Sequence, residues 1–253
     1  MPAPSLEALF SAVASARALA SGLRTLLTCG ALLLPVYGLC AEDFSAAERA
    51  VFMDRHLASL HPPTTLHYGF HKRGTLEAGF DDTGSLALTA QSNGSCCAAQ
   101  VQFFTGARAM QSPDLDTAQG NPAILYFLER DIHEMERLTH GKANYFRKRI
   151  RMAVYQGAEI RTLDLPYRGR TVAVQEVRIT PYLDDPNRSR YDQLAAKQYQ
   201  FLLSAAVPGG LYGIRTRVNG ATAGAPALLG EELLIDGAPS VLAATPLALN
   251  ASP

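Results

Sequence analysis

The 253 residues carry 23 Lys and Arg against 23 Asp and Glu, are 47% hydrophobic and contain no tryptophan. A neutral chain has no global field with which to recruit nucleic acid, and four cysteines are too few for a disulfide-built scaffold in so long a chain. The length suits one domain able to bury a core of its own.

Residues 25–39 form an uncharged, largely apolar run that starts directly after Arg24 and stops before Glu42 and Asp43. The run is too short to span a bilayer comfortably, and Pro35 and Gly38 suit the break before a cleavage site, so residues 1–41 are expected to be a cleaved signal peptide. A buried N-terminal helix is the alternative. Cys40 follows Leu39, a large residue where lipidation wants a small one. Removing Arg17, Arg24 and Glu7 with the signal leaves a mature net charge of −1, and nothing further along reaches transmembrane length. The expected organisation is a signal at 1–41, one β-rich domain at 42–238 and a flexible Ala- and Pro-rich tail at 239–253. The implied compartment is the periplasm or the exterior.

Phe44, Ala47, Val51, Phe52, Leu57 and Leu60 recur near helical spacing, which predicts a helix over about 45–60, stopped by Pro62-Pro63. Leu66, Tyr68 and Phe70 then alternate with polar residues as a half-buried strand. Strands follow at about 84–91 and 97–104, with Asn93-Gly94 as a hairpin dipeptide between them. Residues 105–120 read as a loop. Asn121 is a strong N-cap, Pro122 suits the first helical position, and Gly141 is a stop, so a helix is predicted over 122–139 with Ile124, Leu125, Leu128, Ile132 and Met135 as its apolar stripe. Strand patterns resume at about 144–155, 171–180, 198–206, 210–218 and 230–235. Short turns without intervening helices argue for antiparallel pairing.

Four sets of residues could carry chemistry. Read as a strand, 144–155 places Arg147, Arg149 and Arg151 on one face, a candidate anion site echoed by Arg215 and Arg217; a solvated face paired with acids such as Glu176 explains the same pattern. Glu129, His133, Glu136 and His140 line one side of the central helix and are weak metal candidates, because a bundle site draws ligands from other helices. His56, His61, His67 and His71 read as surface histidines. Cys96 and Cys97, the two cysteines left after cleavage, could form a vicinal disulfide or simply be small strand residues. No nucleophile elbow, Walker loop or zinc-protease motif occurs, and no cofactor is implied. Phe201, in the run 199–203, together with Phe103-Phe104 and the helix stripe, supplies more apolar bulk than one flat sheet face needs. A curved sheet closed by a helix would either fill itself or leave an apolar cavity.

The order of helix, antiparallel strands, helix and further antiparallel strands in an exported chain resembles the periplasmic lipoprotein carriers of the LolA/LolB-like half-barrel class. The segments from Asn121-Pro122 through Arg151 and Val207-Pro208-Gly209-Gly210-Leu211-Tyr212 are similar to those of uncharacterised secreted proteobacterial proteins. The resemblance implies an α+β fold: a curved antiparallel half-barrel with an N-terminal helix, and a central helix packed on the concave face. The function expected first is a non-catalytic carrier of a lipid or other amphiphile, with Arg147, Arg149, Arg151, Arg215, Arg217 and Phe201 near the ligand. The alternatives are a structural or assembly factor that contacts a periplasmic or outer-membrane protein and, third, a hydrolase or metal-dependent enzyme.

Overall fold

A computed structural model describes residues 44–92, 96–110, 112–222 and 224–243; the signal-peptide reading lies outside them. Eight antiparallel strands form one sheet: β1 (Thr64–Arg73), β2 (Phe80–Ala90), β3 (Cys96–Phe103), β4 (Glu159–Tyr167), β5 (Arg170–Ile179), β6 (Gln198–Leu203), β7 (Leu211–Val218) and β8 (Leu229–Ile235). Their order is β3-β2-β1-β8-β7-β6-β5-β4, so β1 pairing with β8 joins two meanders into an open, curved α+β sheet. Among the described residues three α-helices accompany it: α1 (Ala46–Glu48, continuing as a π-helical stretch, Arg49–Met53), α2 (Pro122–Thr139) and α3 (Ala143–Gln156). Among the described residues no helix is long and apolar enough to cross a membrane.

Side chains alternate across a strand, and the register turns that rule into rows. Phe70, Leu233, Ile214, Phe201 and Val177 lie opposite one another from β1 to β5, all nearly or wholly buried. Phe127 of α2 meets Phe70, which also packs against Phe104, so this inner face is the one beneath α2. It is filled by side chains there.

The helix starts follow local rules. Ser45 and Glu48 form a capping box at α1. Asn121 caps α2 by accepting from the Ala123 amide at 3.1 Å, with Pro122 at the first position as predicted. His140, at φ 54°, takes the left-handed C-terminal position one residue before Gly141. α1 ends well short of residue 60. His56 accepts from the Asn121 amide through Nδ1, so its Nε2 carries the proton and donates to the Ala50 carbonyl at 2.8 Å, occupying a helix acceptor.

One element differs in kind. Residues 144–155 are helical, not extended. Phe146, Ile150 and Val154, spaced by four, are the buried residues of α3, and that spacing satisfies a period of two as well as 3.6. Met152 decides between them: it is 37% exposed, where a strand would have buried it with the other three. β4, which no sequence pattern had marked, is the exposed edge strand. Beyond β8, Ser240 and Leu242 return to the Glu232 carboxylate; of the expected tail at 239–253, residues 244–253 lie outside the described residues.

Candidate functional site

Two residues along from the aromatic row, the inner face turns polar. Lys72, Glu231, Thr216 and Tyr199 stand opposite one another from β1 to β6, and α2 lays Arg130, Asp131 and Glu134 over them. Lys197, just before β6, completes the set. The Lys197 ammonium contacts Asp131, and Tyr199 Oη donates to Asp131 Oδ2 at 2.6 Å. Arg130 donates to Glu231 Oε1 at 2.7 Å, Thr216 Oγ1 donates to Glu231 Oε2 at 3.0 Å, and Lys72 contacts Glu134. Glu77 and Arg137 close the rim, joined at 2.6 Å.

Three cations therefore meet three carboxylates in a place nearly sealed from water. Burial alone would raise Glu231, but Arg130, Lys197 and Lys72 overcome it and hold its carboxyl well below the usual range. Glu134 goes the other way, pushed up to about 7 by burial and by the Glu231 charge against the pull of the same three cations. Burial works against the charged Lys197, yet Asp131, Glu231 and Glu134 raise its pKa. Asp131, Glu134 and Glu231 approach one another closely enough to share a metal ion, but Lys72, Arg130 and Lys197 already neutralise them. The cluster binds α2 to the sheet, and Lys197 and Asp131, with no exposed side-chain surface, offer a substrate no approach.

The inner face has open space at its other end. A cleft of about 630 Å³ lies between Ala50 to Ser59 and the β4–β6 end of the sheet, lined by Thr162, Ala173, Gln175, Leu203 and Val207, with Arg55 and His56 on the opposite wall. Thr162, Gln175 and Leu203 form its floor as one row across β4, β5 and β6. A second hollow of about 420 Å³, lined by Tyr167, Arg168 and Arg170, adjoins the first through Ser59, Ala205 and Val207.

The residues singled out from sequence are dispersed. Helical geometry in α3 leaves Arg147 and Arg151, four residues apart, on one side and turns Arg149 to the opposite side, which corrects the shared strand face. Arg147 pairs with Glu129 of α2 at 2.5 Å, Arg149 with Asp185 at 2.9 Å, and Arg151 is exposed. Arg215 pairs with Glu232 across β7 and β8 at 2.8 Å, and Arg217 donates to Asn219. Phe201 is wholly buried in the aromatic row. His133 is 58% exposed, 3.2 Å from Glu129 and 3.5 Å from Glu136; the Glu136 carboxylate accepts from the Ala143 amide at the start of α3. His140 is exposed at the helix end. Cys96 and Cys97 are joined by a disulfide at the start of β3.

The cluster residues went unnoticed although a signal existed. Lys72 continues the inward series Leu66, Tyr68, Phe70; Glu231 interrupts the inward series Leu229, Leu233, Ile235; Asp131 falls three residues after Leu128 and four after Phe127 on the buried side of α2. A charge at a core position of the period marks a buried pair.

No protein-family model matches the chain, and no curated protein matches it. Among solved structures it is similar to MucB (TM-score 0.30, 12% identity, covering 74% of this chain and 58% of that one). It is similar also to the Pseudomonas aeruginosa MucA/MucB complex (0.29, 13%, 78% and 59%) and to the Mycobacterium tuberculosis lipoprotein LppX (0.29, 10%, 72% and 90%). The chain thus spans about three fifths of the MucB length. Scores this low carry no functional assignment.

Proposed function

We propose that the chain is an exported, non-catalytic binding protein that carries an apolar or amphiphilic, lipid-like ligand outside the cytoplasm, in the cleft between residues 50–59 and the inner face of β4–β6. The observation that supports this reading is the cleft itself. Its volume of about 630 Å³ falls within the range of small-molecule sites, which are mostly apolar with a few placed polar groups. Ala50, Ala58, Ala173, Leu203, Ala205 and Val207 supply apolar wall. Arg55, exposed and with no ion-pair partner among the described residues, suits an anionic headgroup. None of the five arginines first assigned that role lines the cleft: Arg147, Arg149 and Arg215 are held by Glu129, Asp185 and Glu232, Arg217 donates to Asn219, and Arg151 is exposed on α3, so the headgroup moves to the wall of the cleft.

Titration with a dansylated fatty acid tests the reading. The probe should brighten and shift to the blue on binding. Gln175→Trp, at an exposed position on the cleft floor, should abolish the signal without changing the unfolding midpoint. Arg55→Glu should weaken it about fivefold, the scale of one partly exposed charge contact. Equal binding by the wild type and Gln175→Trp would remove the cleft as the site.

A further inference from the structure

The two edges of the sheet are protected unequally. The outer edge of β3 is occupied by the chain that follows it: Ala99 and Leu115 exchange both backbone hydrogen bonds at 2.8 Å, Met110 donates to Phe103 at 2.9 Å, and Ala118 donates to Cys97 at 2.8 Å. β4 pairs with β5 from Glu159 to Tyr167. Among the described residues no backbone–backbone hydrogen bond reaches its other side, and of its carbonyls Pro166 accepts from Tyr212 Oη at 2.8 Å. An unpaired strand edge is a template for another chain, and proteins that leave one open use it for recognition or guard it with charges and proline.

The side chains of β4 show what such a chain would need. The buried aromatic and aliphatic row of the inner face runs through Val177 to Ile160 and stops there, with Ile160 41% exposed. Arg161 is turned onto Glu176 of β5. Asp164, on the same face as Ile160, is exposed and has no ion-pair partner among the described residues. Pro166 stands beside the hairpin to β5 and leaves Glu159 to Leu165 open.

We propose that the outer edge of β4 receives an extended segment of a different polypeptide as a ninth strand, one that places an aliphatic side chain opposite Ile160 and a Lys or Arg opposite Asp164. A second copy of this chain fits poorly. Two β4 strands related by a two-fold axis oppose residues of equal parity, so Asp164 would meet Ile160, Thr162, another Asp164 or Pro166, and never Arg161, the one cation of the strand. The edge shares only Thr162 with the lining of the cleft, so ligand and partner can be tested apart.

The full chain is titrated with a strand-length synthetic peptide of alternating Val and Thr, one face of which carries a Val and a Lys spaced as Ile160 and Asp164 are, and with its Lys→Glu twin. Amide exchange is followed by mass spectrometry and affinity by NMR. The Lys peptide should slow exchange over residues 159–167, the Glu twin should bind about fivefold more weakly, as expected for cross-strand charge pairs, and Asp164→Lys should reverse the preference. Unchanged exchange in β4 at about millimolar Lys peptide overturns the proposal. So does equal binding of both peptides, or a concentration-dependent dimer that Ile160→Lys disperses, which would give the edge to a second copy. Both substituted positions are exposed, and matching circular dichroism confirms that the variants fold.

Discussion

The ammonium of Lys197 and the carboxylate of Asp131 face each other with neither side chain exposed to solvent. Such a pair contributes little beyond what well-packed apolar residues would, because removing both charges from water costs several kcal/mol per ion, but breaking it leaves a buried charge unmatched. Lys197→Met should therefore destabilise the fold by about 3–5 kcal/mol in denaturant unfolding. Adding Asp131→Leu to that variant should restore more than half of the loss, since the orphaned carboxylate is then gone. Additive losses in the double variant would show that the pair does not act as a unit.

Stability should also carry the titration of Glu134. Its native pKa of about 7 lies above the ordinary 4.5, so the native state holds the proton more tightly. This contribution is fully present below about pH 4.5 and is lost as pH rises through 7, by on the order of 2–3 kcal/mol. Glu231 has the opposite sign. Its depressed pKa stabilises the fold above the ordinary carboxylate range and is lost on further acidification, as are the contributions of Glu77 and Asp81, which Lys72 and Arg73 hold down. The wild type should thus be most stable near pH 4.5–5, and Glu134→Gln should flatten the slope between about pH 5 and 7. Identical slopes in urea unfolding of the two proteins would refute the assignment.

What could be read from the chain depended on whether one period or two fitted it. α2 was legible because Asn121, Pro122 and a long stripe agree on 3.6, and β1, β2 and β3 because their alternation is bounded by turn residues. α3 was misread because Phe146, Ile150 and Val154 satisfy both periods, although Arg, Lys, Met and Ala around them favour helix. β4 escaped because it is solvated on much of its surface and contains Pro166, which weakens any strand pattern. The cleft belongs to pairs far apart in sequence, Arg55 with Gln175 and Leu203, and local spacing carries no trace of it.

Asn121 joins three parts of the molecule through one side chain. Its carbonyl oxygen caps α2, while its amide donates to Tyr68 Oη of β1 and to the Gly209 carbonyl, each at 2.8 Å. Gly209 sits at φ +72°, where a side chain would strike Leu66 and strain the backbone, so the β6–β7 turn approaches Asn121 closely only as glycine. Asn121→Ala removes the cap, worth about 1 kcal/mol, and leaves buried polar groups unmatched at about 1–3 kcal/mol each. A total near 3 kcal/mol is expected. Asn121→Asp separates the two roles, since it keeps the cap acceptor but turns a second acceptor toward the Gly209 carbonyl, and it should cost nearly as much as alanine despite its excellent capping propensity. If aspartate instead proves as stable as the wild type in thermal unfolding, the cap alone matters and the bonds to Tyr68 and Gly209 contribute nothing.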